Sequence, residues 1–220
     1  MGVKYLLCAL AGYLTGNLNP SYLIGRLHGC DIRKCGSGNA GASNALILFG
    51  KLRGFLCALF DIFKAVVVIR VMCGLFSETN YVFSITAVSC VLGHIFPFYL
   101  KFKGGKGLAC LGGTILAYDW RVFLILLGVE LLIVSIVKYI CFVPMSASLI
   151  FAVTYGIMEK DVFGLLLFLG MAAVICLKHV QNIKRILAGK ELRLSYLWNR
   201  SGEAERLKEQ YPVEYEMEKR

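Results

Sequence analysis

Apolar residues run in blocks too long for an ordinary soluble fold. Residues 3–25, 54–76, 81–100 and 121–143 are almost continuously apolar. A bilayer core needs about 20 such residues per helix, so each block predicts a membrane-spanning helix. The block 144–178 is interrupted at Glu159, Lys160 and Asp161 and reads as two spans, 144–158 and 161–178, joined by a tight turn. Residues 107–118 are short for a span, but Gly107, Gly112 and Gly113 suit a closely packed short helix. The pattern predicts an all-α polytopic membrane protein of about seven transmembrane helices. The membrane-embedded part covers 1–197, and a charged tail of alternating sign covers 198–220. The first block resembles a signal peptide at a glance. Asn17, Asn19 and Pro20 interrupt it, and no small-x-small cleavage site precedes a soluble domain, so it reads as a first span.

Basic residues orient these spans. Arg26, Arg33, Lys34, Lys51 and Arg53 lie in 26–53; Lys101, Lys103 and Lys106 lie in 101–106; more follow from Lys178 onward. The alternate connections, 77–80, 119–121 and 158–161, hold only Arg121 and Lys160. Seven spans put every basic segment on one face. The positive-inside rule makes that face cytoplasmic, with the N-terminus outside and the C-terminus cytoplasmic. The net charge of +10 then needs no nucleic acid to explain it. Of the 220 residues 58% are apolar and 17% charged, against about 45–50% and about 25% in soluble domains. That excess argues against a soluble enzyme, a disordered chain or a nucleic-acid binder. The nine cysteines contain no CxxC pair and mostly lie inside apolar runs, so they read as small structural hydrophobes. No internal repeat supports a repeat-built transporter.

Three polar clusters fall on the predicted cytoplasmic face. The first is Gly36-Ser37-Gly38-Asn39-Ala40-Gly41-Ala42-Ser43-Asn44. Small residues let backbone N–H groups converge on an anion, and Ser37, Asn39, Ser43 and Asn44 add neutral hydrogen-bonding groups. The same run also suits a glycine turn with a helix cap at Ser43 or Asn44. The second is Gly93-His94-Ile95-Phe96-Pro97 followed by Phe102-Lys103-Gly104-Gly105-Lys106-Gly107. Two lysines around two glycines at a helix mouth suit a phosphate cradle more than a lipid anchor. It is not a P-loop, since Gly107 stands where Ser or Thr would bind magnesium. The third is His179-Val180-Gln181-Asn182-Ile183-Lys184-Arg185, then Gly189-Lys190-Glu191. His179 and Asn182 share a helix face at i,i+3. Within the second span Asp61 and Lys64 are also i,i+3, a functional pair or a self-contained bridge. No metal-ligand cluster and no Ser/His/Asp set emerges from spacing.

Together and in this order, the clusters resemble the PlsY family of bacterial acyl-phosphate-dependent glycerol-3-phosphate acyltransferases. The resemblance runs from about Leu10 to about Arg193 and includes Asn19-Pro20-Ser21, Asp61 and Lys64. Ser43 stands where the first family motif has threonine. The resemblance implies a multi-pass protein of the bacterial inner membrane with its site on the cytoplasmic face. It implies acyl phosphate and glycerol 3-phosphate as substrates and the lipid bilayer as surroundings, with no cofactor. It also implies transfer to the 1-hydroxyl, giving lysophosphatidic acid and phosphate, with the substrates' phosphates taking up the proton. The chain is expected to act as a monomer. Ser37, Lys106, His179 and Asn182 would be the catalytic residues. Gly36, Gly38, Asn39, Asn44, Lys103, Gly104 and Gly105 would shape the substrate site. His94, Asp61, Lys64 and Glu191 would support it. One position departs: the family has an arginine that grips glycerol phosphate where this chain has Ile47. Lys51 and Arg53 are the nearest cations that could substitute. Two alternatives stay open: a paralog acylating another phosphorylated alcohol, and a non-catalytic membrane protein that binds phosphorylated lipid.

Overall fold

A computed structural model describes residues 2–199, 201–203 and 205; their regular secondary structure is all helical and contains no strand. Among them are nine α-helices: α1 (Gly2–Asn17), α2 (Pro20–Leu27), α3 (Ala42–Phe49), α4 (Lys51–Leu75), α5 (Val82–Ile95), α6 (Leu108–Tyr118), α7 (Trp120–Val137), α8 (Phe142–Glu159) and α9 (Val162–Leu187). Short 3-10 turns cover Ile32–Lys34, Phe98–Leu100 and Leu194–Leu197. Four segments are long and apolar enough to cross a membrane by length and composition alone: Val82–Leu100, α7, α8 and α9. Helix α6 is the shorter apolar helix at 11 residues. Helix α4 has the length, at 25 residues, but carries Asp61, Lys64 and Arg70 along its course.

The first predicted span is broken. Helix α1 stops at Asn17, and α2 restarts at Pro20, whose missing N–H suits the first helical position. Asn19 caps α2 by accepting from Tyr22 N at 2.8 Å and donates from Nδ2 to Ala40 O at 2.8 Å. The break frees the carbonyls of Gly16 and Leu18 from helical bonding, and such groups need other partners. Lys64 is that partner: its ammonium donates to Gly16 O at 2.9 Å and Leu18 O at 2.5 Å. Two further predicted ends move. Helix α7 ends at Val137, with Lys138 left-handed at φ 67, rather than at 143. Helix α9 continues past 178 to Leu187, its last turn carrying Lys184 and Arg185 toward the negative end of the helix dipole.

Helix α5 is the most enclosed, and α7 the most exposed, of the four long apolar segments. Helices α1 and α5 meet backbone to backbone. A Cβ on Gly12 would run into Thr86 O, one on Gly16 into Cys90 O and one on Gly93 into Tyr13 O. Apolar side chains supply no driving force between helices in lipid, so this close approach and its dispersion contacts hold the pair. The core of the bundle is aromatic, with Phe151 and Phe168 fully buried among Phe83, Tyr118 and Tyr155. Outward faces carry Leu6, Leu10, Phe55, Phe63, Ile125, Leu132 and Ile136, an apolar surface of the kind that lipid covers. A smaller cluster of Ile32, Ala40, Ala45, Cys57 and Leu100 underlies the loop between α2 and α3.

Past the last helix the chain folds back. Leu194 N donates to Lys138 O at 2.8 Å. Glu203 accepts from Arg193 N and Ser195 Oγ, each at 3.1 Å. The start of the predicted tail is thus packed, with Glu203 buried, rather than solvated. Residues 206–220 lie outside the described residues.

Candidate functional site

The three polar clusters come together at one end of the bundle. Helix α4 begins there, α5 and α9 end there, and α6 and α8 begin there.

Asn44 organises the first cluster. Its Nδ2 lies 3.0 Å from Ile32 O, 2.9 Å from Cys35 O and 3.0 Å from Asn39 O, and its Oδ1 accepts from Ser37 N at 2.9 Å. Neither Ser43 nor Asn44 caps α3; Gly41 occupies that position without a side-chain bond. Gly36 sits at φ 58, and a Cβ there would strike Asn44 Oδ1. Gly38 is also left-handed, at φ 72. The folded loop leaves Ser37 and Asn39 half-buried beside the second cluster, with Gly41 facing the Gly105 backbone.

The second cluster is pinned to the end of α5. Gly104 N donates to Ile95 O and Gly105 N to His94 O, each at 3.1 Å. A Cβ on Gly104 would strike His94 O, and one on Gly105 would overlap the His94 ring. Gly107 then turns left-handed, at φ 94, to start α6. Among the described residues the N–H groups of Lys106, Gly107 and Leu108 have no acceptor. Free N–H groups at a helix start form an anion site.

The third cluster supplies the facing wall. His179 and Asn182 are buried on one side of α9, as their spacing predicts. Asn182 Oδ1 accepts a short bond from Lys106 Nζ, and its Nδ2 donates to Glu191 Oε1 at 2.6 Å. His179 Nδ1 lies 2.8 Å from Ile175 O. Lys106 is half-buried, and burial pushes its ammonium below the ordinary lysine range. Arg185 and Lys178 lower it further, while Glu191 and Cys141 oppose the shift. The site is thus a cluster of like charges with one carboxylate, an arrangement that costs stability until an anion arrives.

Beneath the site lies a buried polar node. Lys64 Nζ is 2.6 Å from Asp61 Oδ1 and 3.2 Å from His94 Nδ1, and His94 Nδ1 is 3.4 Å from Asp61 Oδ1. The Lys64 ammonium is hydrogen-bonded by Gly16 O, Leu18 O and His94 Nδ1 and ion-paired with Asp61. The His94 ring in turn supports Gly105. Sequence spacing leaves Asp61 and Lys64 as a functional pair or a bridge; here they are a bridge that carries the site. Donor atoms of Asp61, His94 and Cys110 lie within 4.8 Å of one another, a set that suits a cation. The Lys64 ammonium is that cation, so these residues fit an ammonium better than a metal.

Lys103 is exposed at the turn before the glycines, outside this bonded framework. Lys51 and Arg53 are exposed too, and Arg53 Nη1 donates to Phe49 O at 3.0 Å. Ile47 is half-buried on α3. Two site neighbours escape sequence reasoning. Lys178 stacks over the Phe96 ring at 4.4 Å, and its only signal was adjacency to His179. The Cys141 thiol lies within electrostatic reach of Lys106 and Glu191, and nothing in its apolar surroundings marked it.

The sequence model of the glycerol-3-phosphate acyltransferase family matches residues 6–189. The chain belongs to this family. It is 34% identical over 206 residues to glycerol-3-phosphate acyltransferase 1 of Oceanobacillus iheyensis, covering 89% of this chain and 98% of that one. It is 37% identical over 199 residues to the glycerol-3-phosphate acyltransferase of Clostridioides difficile, covering 87% and 96%. Among solved structures it is similar to PlsY (YgiH), an integral membrane glycerol 3-phosphate acyltransferase, in its glycerol 3-phosphate form. The TM-score is 0.80 at 30% identity, covering 88% of this chain and 96% of the other. The lysophosphatidic acid form of PlsY gives a TM-score of 0.76. Glycerol-3-phosphate acyltransferases of this type are membrane proteins, and the apolar outer faces described above are those of one.

Proposed function

We propose that this protein transfers an acyl chain from acyl phosphate to the 1-hydroxyl of glycerol 3-phosphate, releasing lysophosphatidic acid and phosphate. One observation carries the reading. In a chain of the glycerol-3-phosphate acyltransferase family, three polar segments far apart in sequence converge on free N–H groups and the Lys106 cation. Unsatisfied donors and clustered cations are what two phosphorylated substrates need. The donor phosphate is held by Lys106 and the N–H groups of Lys106, Gly107 and Leu108. Ser37 hydrogen-bonds the reacting groups, and His179 and Asn182 line the pocket. The acceptor hydroxyl attacks the acyl carbonyl carbon, the carbon–oxygen bond to phosphate breaks, and phosphate takes up the proton. The rate comes from positioning and from stabilising charge on the leaving phosphate. Arg185 and Lys178 supply positive charge to the acceptor phosphate where Ile47 supplies none.

The same reading places residues 1–197 in a bacterial cell membrane as a monomer. Helices α1 and α4–α9 form the seven spans, with the N-terminus outside and the site facing the cytoplasm. That orientation is supported by the gathering of basic residues at the site end. The function is tested by phosphate release from purified protein in detergent, given palmitoyl phosphate with and without glycerol 3-phosphate. Release that requires glycerol 3-phosphate and disappears in Lys106→Ala is the expected result. Folded protein that releases nothing would point to another acceptor or to a non-catalytic role.

A further inference from the structure

The end of the bundle opposite Lys106 holds a second polar feature. A cavity of about 230 Å³ opens between the ends of α4, α6 and α8 and the start of α5, lined by Arg70, Cys73, Phe83, Tyr118, Tyr155 and Glu159 among others. Three rings form one wall as a triangle: Phe83–Tyr118 and Phe83–Tyr155 are 5.5 Å apart and Tyr118–Tyr155 5.4 Å apart, centroid to centroid. Tyr118 Oη donates to Glu159 Oε1 at 2.6 Å, which holds the carboxylate beside the rings. Arg70 is exposed and, among the described residues, forms no hydrogen bond or ion pair. Opposite charges therefore line one cavity without meeting. They lie at the level where these helices end, with Arg70 one helical turn or so inside the end of α4 and Glu159 closing α8.

We infer that this cavity binds the headgroup of a zwitterionic phospholipid in the leaflet opposite the acyltransferase site, its phosphate on Arg70 and its ammonium between Glu159 and the Tyr118, Tyr155 and Phe83 rings. A phosphate alone would satisfy Arg70 and face the Glu159 carboxylate. An ammonium alone would satisfy Glu159 and face Arg70. A headgroup carrying both charges satisfies each wall. The aromatic wall favours the cationic end, since ring faces attract ammonium groups. In a membrane protein the ligand is already at hand, because such lipid headgroups surround the helix ends. The inference does not rest on acyl transfer, which takes place at the other end of the molecule.

Native mass spectrometry of the full chain in detergent tests it, with equimolar phosphatidylethanolamine and phosphatidylglycerol added. Phosphatidylethanolamine should be retained about five- to tenfold over phosphatidylglycerol, the size of one ammonium contact at a partly exposed aromatic site. Glu159→Gln should abolish the preference, and Arg70→Gln should lower retention of both lipids. Soluble phosphoethanolamine should displace phosphatidylethanolamine if the headgroup alone is recognised; retention against it would assign the binding to the acyl chains and overturn the proposal. Equal retention of the two lipids by the wild type, or an unchanged preference in Glu159→Gln, would also overturn it. Phosphate release by both variants should stay at the wild-type rate, which separates loss of this site from loss of the fold.

Discussion

The two ends of the bundle handle polar groups in opposite ways. At the Lys106 end, polar side chains are buried and bonded to one another: Asn44 beside three carbonyls, Lys64 with Asp61 and two carbonyls, Asn182 between Lys106 and Glu191. The connections there are long, and residues 28–41 and 96–107 carry most of the chemistry. At the far end the connections are short, and Asp119 and Asp161 cap the helices that follow them directly. The polar groups there, Arg70 and Glu159, stay at the surface. A site that handles charged substrates needs cations fixed in advance, and in a low-dielectric interior only a fully bonded network fixes them. The far end packs aromatic rings instead and leaves Arg70 and Glu159 at the rim of a cavity.

Removing Lys64 would break this contrast most severely. Lys64→Met leaves Asp61 buried without its cation and frees the Gly16 and Leu18 carbonyls. Losing one partner of a buried pair costs about 3–5 kcal/mol, read as a lower unfolding temperature in detergent. Lys64→Met combined with Asp61→Leu should recover part of that loss, since no isolated charge remains. Lys106→Ala comes next. Phosphate release should fall about 10²- to 10³-fold, the usual cost of a transition-state donor, with little change in unfolding temperature.

Charge at the acceptor side sharpens the comparison further. Ile47→Arg adds one cation to the site end, and a charged hydrogen bond is worth roughly 1.5–3 kcal/mol. The apparent KM for glycerol 3-phosphate should drop about 10- to 150-fold. An unchanged KM would mean that Arg185 and Lys178 already saturate the acceptor phosphate. The pH profile tests the same cations. Burial holds the Lys106 ammonium below the ordinary lysine range, so the alkaline fall in activity should begin below that range. Lys106→Arg, with a guanidinium that stays charged, should move the alkaline limit upward.

The smallest effect belongs to the loop clamp. Asp31 binds Arg33 at 2.6 Å, and Arg33 Nη1 donates to Leu100 O at 2.6 Å, tying the first loop to the second. The Arg33 hydrogen bonds hold the Asp31 carboxyl down to about 2, against an ordinary 3.8. A carboxyl lowered on folding contributes stability above its unfolded value and loses it as pH falls through the folded one. The clamp therefore weakens between about pH 4 and pH 2, and Asp31→Asn should cost under about 1 kcal/mol at pH 7. Thermal unfolding of both proteins across that pH window measures it.

Much of this was legible in the chain itself. Apolar runs marked the long helices, because a bilayer demands length and composition and little else. The glycines of 36–41 and 104–107 marked two tight loops, because a side chain at Gly36, Gly104 or Gly105 would collide with its neighbours. The i,i+3 spacing of His179 and Asn182 placed them on one face. Other features had no local signal. Nothing near Cys141 indicated that the start of α8 would bring its thiol within electrostatic reach of Lys106. Asn44 read equally as a cap, and only the fold of residues 32–39 made it the hub of the loop.

The sequence by itself determined the helical membrane architecture, the polar clusters and the surplus of positive charge, since these follow from composition, spacing and hydropathy. Only the tertiary structure decided that the break at Asn17–Pro20 would be satisfied by Lys64, 46 residues away from Leu18. Likewise only the fold joined Lys106 to Asn182 and seated Gly105 on His94. The physical reason is that a buried donor or carbonyl must find a partner, and the partner is chosen by which helices pack together rather than by what lies next in the chain.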